Sequence, residues 1–74
     1  MLSIFDKRPW VVQITSSDSN GQIRNTVFGG LVSAAEAKRL AASRDHSSPY
    51  GRDYFISYRW LARVATSEEI ELYT

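Results

Sequence analysis

From Trp10 to Thr15 the side chains alternate: Trp10, Val12 and Ile14 point one way, and Val11, Gln13 and Thr15 the other. β-Branched and aromatic residues at period two predict a strand. Pro9 lacks an amide hydrogen and suits the turn before the strand or its first residue. Ser16-Ser-Asp-Ser-Asn-Gly21 consists of turn formers, and Asn20-Gly21 takes the positive φ angles a hairpin demands. A returning strand is expected over Gln22–Phe28. Its apolar members are Ile23, Val27 and Phe28. Phe28 lies out of phase with the other two, so the register stays open, and Gly29-Gly30 either ends the strand or bulges it.

The period changes at Ser33. Ala34, Ala37, Leu40 and Ala41 share one helical face, and Glu36, Lys38, Arg39 and Ser43 lie mostly away from it. Ser33 and Glu36 stand at capping-box spacing. The helix is expected to end near Ser43 or Arg44. Its apolar face is mainly alanine, so it can lie close to a sheet but brings little area, and the aromatic mass must come from the strands. Asp45–Gly51 is a loop by composition and the best candidate for a mobile segment. Tyr54–Val64 then alternates as the longest strand. Tyr54, Ile56, Tyr58, Trp60, Ala62 and Val64 share the parity that predicts the core face, and Phe55, Ser57, Arg59, Leu61 and Arg63 share the other. Beyond it, Thr66-Ser-Glu-Glu69 caps a last helical turn with Ile70 and Tyr73 packing back, or Ile70 and Leu72 belong to a short edge strand. The pattern leaves both open.

These elements predict an α+β fold: a small antiparallel sheet built from a β-hairpin, a helix and a β-strand, with one helix packed on one face. One domain is expected, with a lead-in over 1–9, a core over 10–64 and an acidic tail over 65–74. If the last strand pairs beside the first, the strand order is 2-1-3 and the third strand lies at an edge. No second layer is predicted over the other sheet face, which makes that face the expected place of function.

Composition narrows the chemistry. The chain has 74 residues and no cysteine, which excludes disulfides, Cys-based zinc sites and thiol catalysis. The absence of disulfides in so small a domain favours a reducing compartment. Met1–Phe5 is too short for a signal-peptide core, and no apolar run approaches the roughly 20 residues of a membrane helix. A cytoplasmic protein is expected. His46 is the only histidine, too few for a metal site even beside Asp45 and Asp53. None of the serines sits in a Gly-x-Ser-x-Gly elbow. Gly29-Gly30 lacks the glycines and the Lys-Ser/Thr of a phosphate loop. Glu68, Glu69 and Glu71 cluster in the tail rather than face one another across a cleft. No catalytic, metal or cofactor site is expected, and a binding module is preferred to an enzyme.

The net charge of +1 hides an asymmetry. All nine basic side chains fall within residues 7–63, against the acids Asp18, Glu36, Asp45 and Asp53, whereas the tail holds three glutamates and no base. On the predicted open face Arg59 and Arg63 stand beside Phe55 and Leu61, with Arg24 as a neighbour. Aromatic and arginine anchors on an open face point to a protein partner. The alternative is nucleic acid, held by the same arginines with Lys38 and Arg39. An exposed third strand also offers an edge for a homodimer.

The order of strand Trp10–Ser16, hairpin return, helix Ser33-Ala-Ala-Glu-Ala-Lys-Arg-Leu-Ala41 and Arg-bearing last strand resembles small phage-encoded host-takeover proteins, such as the RNA-polymerase inhibitors of T7-like phages and several small anti-CRISPR proteins. The resemblance covers residues 10–64 by element order. It implies a steric mechanism, in which the domain occupies a functional cleft of a host or cellular protein complex. Arg59 and Arg63 then match that group's strand arginines in type and general place only. The longer 44–53 loop and the acidic tail depart from its layout.

Overall fold

The computed structural model describes residues 7–52 and 54–74. The expectations placed on the lead-in up to Asp6, and on Asp53, lie outside these residues. Three strands form one antiparallel sheet: β1 (Trp10–Ser17), β2 (Ile23–Val32) and β3 (Ser57–Val64), in the order β2-β1-β3. Helix α1 (Ala34–Arg44) packs across β3 and β1, and a second helix, α2 (Ser67–Tyr73), packs on β2. The domain is thus α+β, with the 2-1-3 order the pattern predicts.

The core lies between α1 and the sheet. Val12 and Ile14 of β1, Tyr58 and Trp60 of β3, and Ala37 and Leu40 of α1 form it, with Phe28 and Phe55 packed at its margin. Phe28 meets Trp60 edge-to-face at 5.1 Å. The small helical side chains let α1 lie close, and the aromatic mass comes from strands and loop, as an alanine-rich face requires.

The phase conflict in β2 resolves through the glycine pair. Val12 pairs with Phe28, but Trp10 pairs with Val32, so two steps on β1 face four on β2. Gly29 and Gly30 absorb the excess at φ values of 80° and 71°, a region costly for other residues. Phe28 therefore faces α1, while Ile23 and Val27, opposite Ser17 and Gln13, face the other way. The pair bulges the strand and does not end it.

Three expectations are corrected. Glu36 donates its amide to the Ser33 hydroxyl, but its carboxylate turns to Arg39 one turn on, so only half of the α1 capping box forms. Strand β3 starts at Ser57, not Tyr54, because the Tyr58 hydroxyl oxygen accepts the amides of Tyr54 and Phe55 at 2.9 and 3.0 Å and holds that segment off the sheet. The second sheet face does have a cover. The tail folds as α2, opened by a complete capping box between Thr66 and Glu69, and Tyr73 lies over Gly30 with its ring 3.7 Å from where a β-carbon would stand. The helical alternative for the tail is the one adopted. Val11, on this second face, is fully buried.

Candidate binding surface

The five residues expected to form one patch are divided between the two sides of the sheet. Arg59, Leu61 and Arg63 pair with Thr15, Gln13 and Val11 and so belong to the second face. Arg24 pairs with Ser16, on the α1 side. Phe55 is off the strand and packs against the α1-side core, edge-to-face with Tyr58 at 6.0 Å. The Arg24 guanidinium lies over the Phe55 ring at 5.8 Å. Strand parity put Phe55 on the open face. It fails there because residues 54–55 are not strand.

The second face holds little free positive charge. The Arg63 guanidinium donates from Nε to Gln13 at 2.9 Å and from both terminal nitrogens to Glu69 at 2.6 and 2.8 Å. Glu69 also accepts the Thr66 amide, completing its cap. The Arg63 guanidinium, and then the Thr66 amide, pull the Glu69 carboxyl down to about 2. Arg63 is therefore the latch that holds α2 on the sheet. A hollow of about 500 Å³ runs along this seam, lined by Gln13, Asn25, Val27, Arg63, Glu69 and Tyr73. Gln13 and Glu69 both bond to Arg63, and Asn25 accepts from Thr15, so these polar groups of the lining are already paired. Leu61 stays 55% exposed on this face.

Arg59 reaches around the β3 edge to Asp45 at 3.2 Å. The same carboxylate accepts the Trp60 amide at 3.0 Å, and the His46 amide donates to the Tyr58 carbonyl at 3.1 Å. The Trp60 amide, followed by Arg59, holds the Asp45 carboxyl below its ordinary range. Trp60 Nε1 donates to the Ser47 carbonyl at 2.8 Å. The first half of the 45–51 loop is thus tied to β3, and that stretch of edge is closed to strand pairing with a copy. His46 adopts φ 72° just beyond the helix end, with an exposed imidazole near Asp45.

Four of the large exposed apolar side chains stand where the loop meets the hairpin end of the sheet, with Leu61 and Leu72 exposed elsewhere. Ile56 is 74% exposed, Ile23 69% and Tyr54 59%, with Tyr50 beside Tyr54 at 5.5 Å between ring centroids. The Ile56 amide donates to Ser17, whose partner across the hairpin is Ile23, so both isoleucines lie at one end of the sheet. Arg52 lies over Tyr54 at 5.6 Å and Arg24 over Phe55. Farther along the α1 side, Arg44 covers Phe28 and Lys38 covers Trp10. Arg24, Arg52, Arg44 and Lys38 form no ion pair among the described residues. The α1 side therefore carries cations seated on rings, whereas α2 brings carboxylates to the opposite side.

Tyr50, Arg52, Tyr54 and Ile56 escaped the sequence reading because a continuous strand from Tyr54 assigns Tyr54 and Ile56 to the core. The available signal was the Tyr-Gly-Arg-Asp-Tyr run at 50–54, in which glycine and alternating charge argue against a strand. Among the described residues no three metal-ligating side chains come together, and no helix is long and apolar enough to cross a membrane. No family model, no curated protein and no solved structure matches the chain.

Proposed function

We propose that this chain is a non-enzymatic protein-binding module whose recognition surface is the loop–hairpin end formed by Ile23, Arg24, Tyr50, Arg52, Tyr54 and Ile56. The observation that carries the reading is the exposure of four large apolar side chains beside two arginines that have no carboxylate partner among the described residues. Single exposed apolar residues are ordinary, but a gathered set marks an interaction site. Tyrosine and arginine dominate interface hot spots because each buries a large area and retains a polar end for orientation. Cation–ring stacking holds Arg24 and Arg52 in place before a partner arrives, which lowers the ordering cost of binding. Such a module acts by occupancy: it covers a surface of a host or cellular complex that substrate or another subunit needs.

Capture from a lysate, comparing the wild type with a Tyr54→Ala/Ile56→Asp double variant, tests this. A defined protein set retained by the wild type and lost by the variant is expected, with retention unchanged in Leu61→Ala, which lies outside this surface, farther along β3 opposite Gln13. Equal capture by both baits overturns the assignment of the surface. Loss of all captured protein after nuclease treatment instead assigns the surface to nucleic acid.

A further inference from the structure

Resting on that reading, we infer that the same surface also docks the outward face of α2 from a second copy of this chain, so that the protein masks its own recognition site as its concentration rises. Within α2, Glu69 and Tyr73 stand four residues apart and face the sheet, one bound to Arg63 and the other over Gly30. Glu68, Glu71 and Leu72, spaced three and four apart, therefore share the side that faces away. Leu72 is 73% exposed, and Glu68 and Glu71 make no ion pair among the described residues. This face presents one leucine flanked by two carboxylates. The loop–hairpin end presents the converse, Tyr54 and Ile56 flanked by the guanidinium groups of Arg24 and Arg52. The two surfaces match in charge and in apolar content.

They do not meet within one molecule, where no ion pair joins Arg24 or Arg52 to Glu68 or Glu71. Arg24 and Phe55 lie on the α1 side of the sheet and α2 on the other, with the sheet between them. The contact must join two copies, and because it pairs different patches it is head-to-tail. It does not use the first half of the β3 edge, which Asp45 and His46 close at Trp60 and Tyr58. With one leucine at its centre and ion pairs at its rim, the contact is small, weak and sensitive to salt.

Sedimentation equilibrium over a rising concentration series in low salt tests the inference. The wild type is expected to rise above its 8.4 kDa monomer mass, and moderate salt is expected to reverse the rise. Arg24→Glu/Arg52→Glu has acid on both patches, Glu68→Lys/Glu71→Lys has base on both, and each alone is expected to stay monomeric. An equimolar mixture of the two is expected to associate, because each then offers the other a complementary patch. Far-ultraviolet circular dichroism checks that all three are folded. A wild type that stays monomeric throughout, or association that persists in either variant alone, overturns self-docking. Either result leaves the capture comparison with Tyr54→Ala/Ile56→Asp standing, so the two readings fail separately.

Discussion

The carboxylate of Glu69 does two jobs, gripping the Arg63 guanidinium and capping its own helix at Thr66. Glu69→Gln keeps the shape and removes the charge, so it is expected to cost about 1.5–3 kcal/mol, the range for hydrogen bonds to charged groups. The cost depends on pH with a definite sign. The folded-state value near 2 lies below the ordinary value of 4.5, so the stabilisation is complete above about pH 5 and disappears as pH falls toward 2. Urea denaturation at pH 6 and at pH 2 checks this: the gap between wild type and Glu69→Gln is expected to be full at the first and mostly lost at the second. Arg39 with Glu36, by contrast, is an exposed pair within one helix. It contributes little to stability, although it decides that Glu36 does not complete the α1 cap.

At the scale of elements, β3 is an edge strand protected by its neighbour in sequence. The turn that ends α1 supplies the Asp45 carboxylate to the Trp60 amide and the His46 amide to the Tyr58 carbonyl. A charged side chain placed on an edge is a known guard against strand addition. Asp45→Ala leaves the Trp60 amide unpaired at the edge. It is expected to lower the thermal midpoint and to increase aggregation on heating, seen as earlier onset of light scattering. His46 spends backbone energy to make this closure, since its φ of 72° is a left-handed conformation. On the opposite edge, β2 relies on the Gly29-Gly30 bulge, which twists the strand and makes room for Tyr73.

At the scale of the whole molecule, a chain of this size has a net stability on the order of 4–11 kcal/mol. Trp60 touches much of what holds it together: it lies in the core with Val12, Ile14 and Leu40, meets Phe28 edge-to-face and ties the 45–47 turn through its indole nitrogen. Trp60→Ala is expected to cost about 3–5 kcal/mol. Calorimetry of the variant is expected to show a transition lowered by many degrees or none at all. The aromatic residues thus divide by role, with Trp60, Phe28 and Tyr58 in or against the core and Tyr50 and Tyr54 exposed at the proposed binding end.

Much of this architecture was legible in residue order. Alternation in Trp10–Thr15, the Asn20-Gly21 turn, the Ser33 cap and the alanine stripe depend on local periodicity and backbone preference, and these set the α+β class and the element order. The candidate site was less legible, because facing and free charge are settled by distant partners. The Tyr58 hydroxyl, three and four residues along, bends residues 54–55 off the strand line and moves Phe55 to the α1 side. Glu69 neutralises Arg63 only because α2 folds back over the sheet. Hydrophobic period and composition act locally, so residue order carries the helix-backed antiparallel sheet, the basic body and the acidic end. Which arginines lack a carboxylate, which sheet face is covered and where the exposed apolar side chains stand follow instead from contacts between residues far apart in the chain.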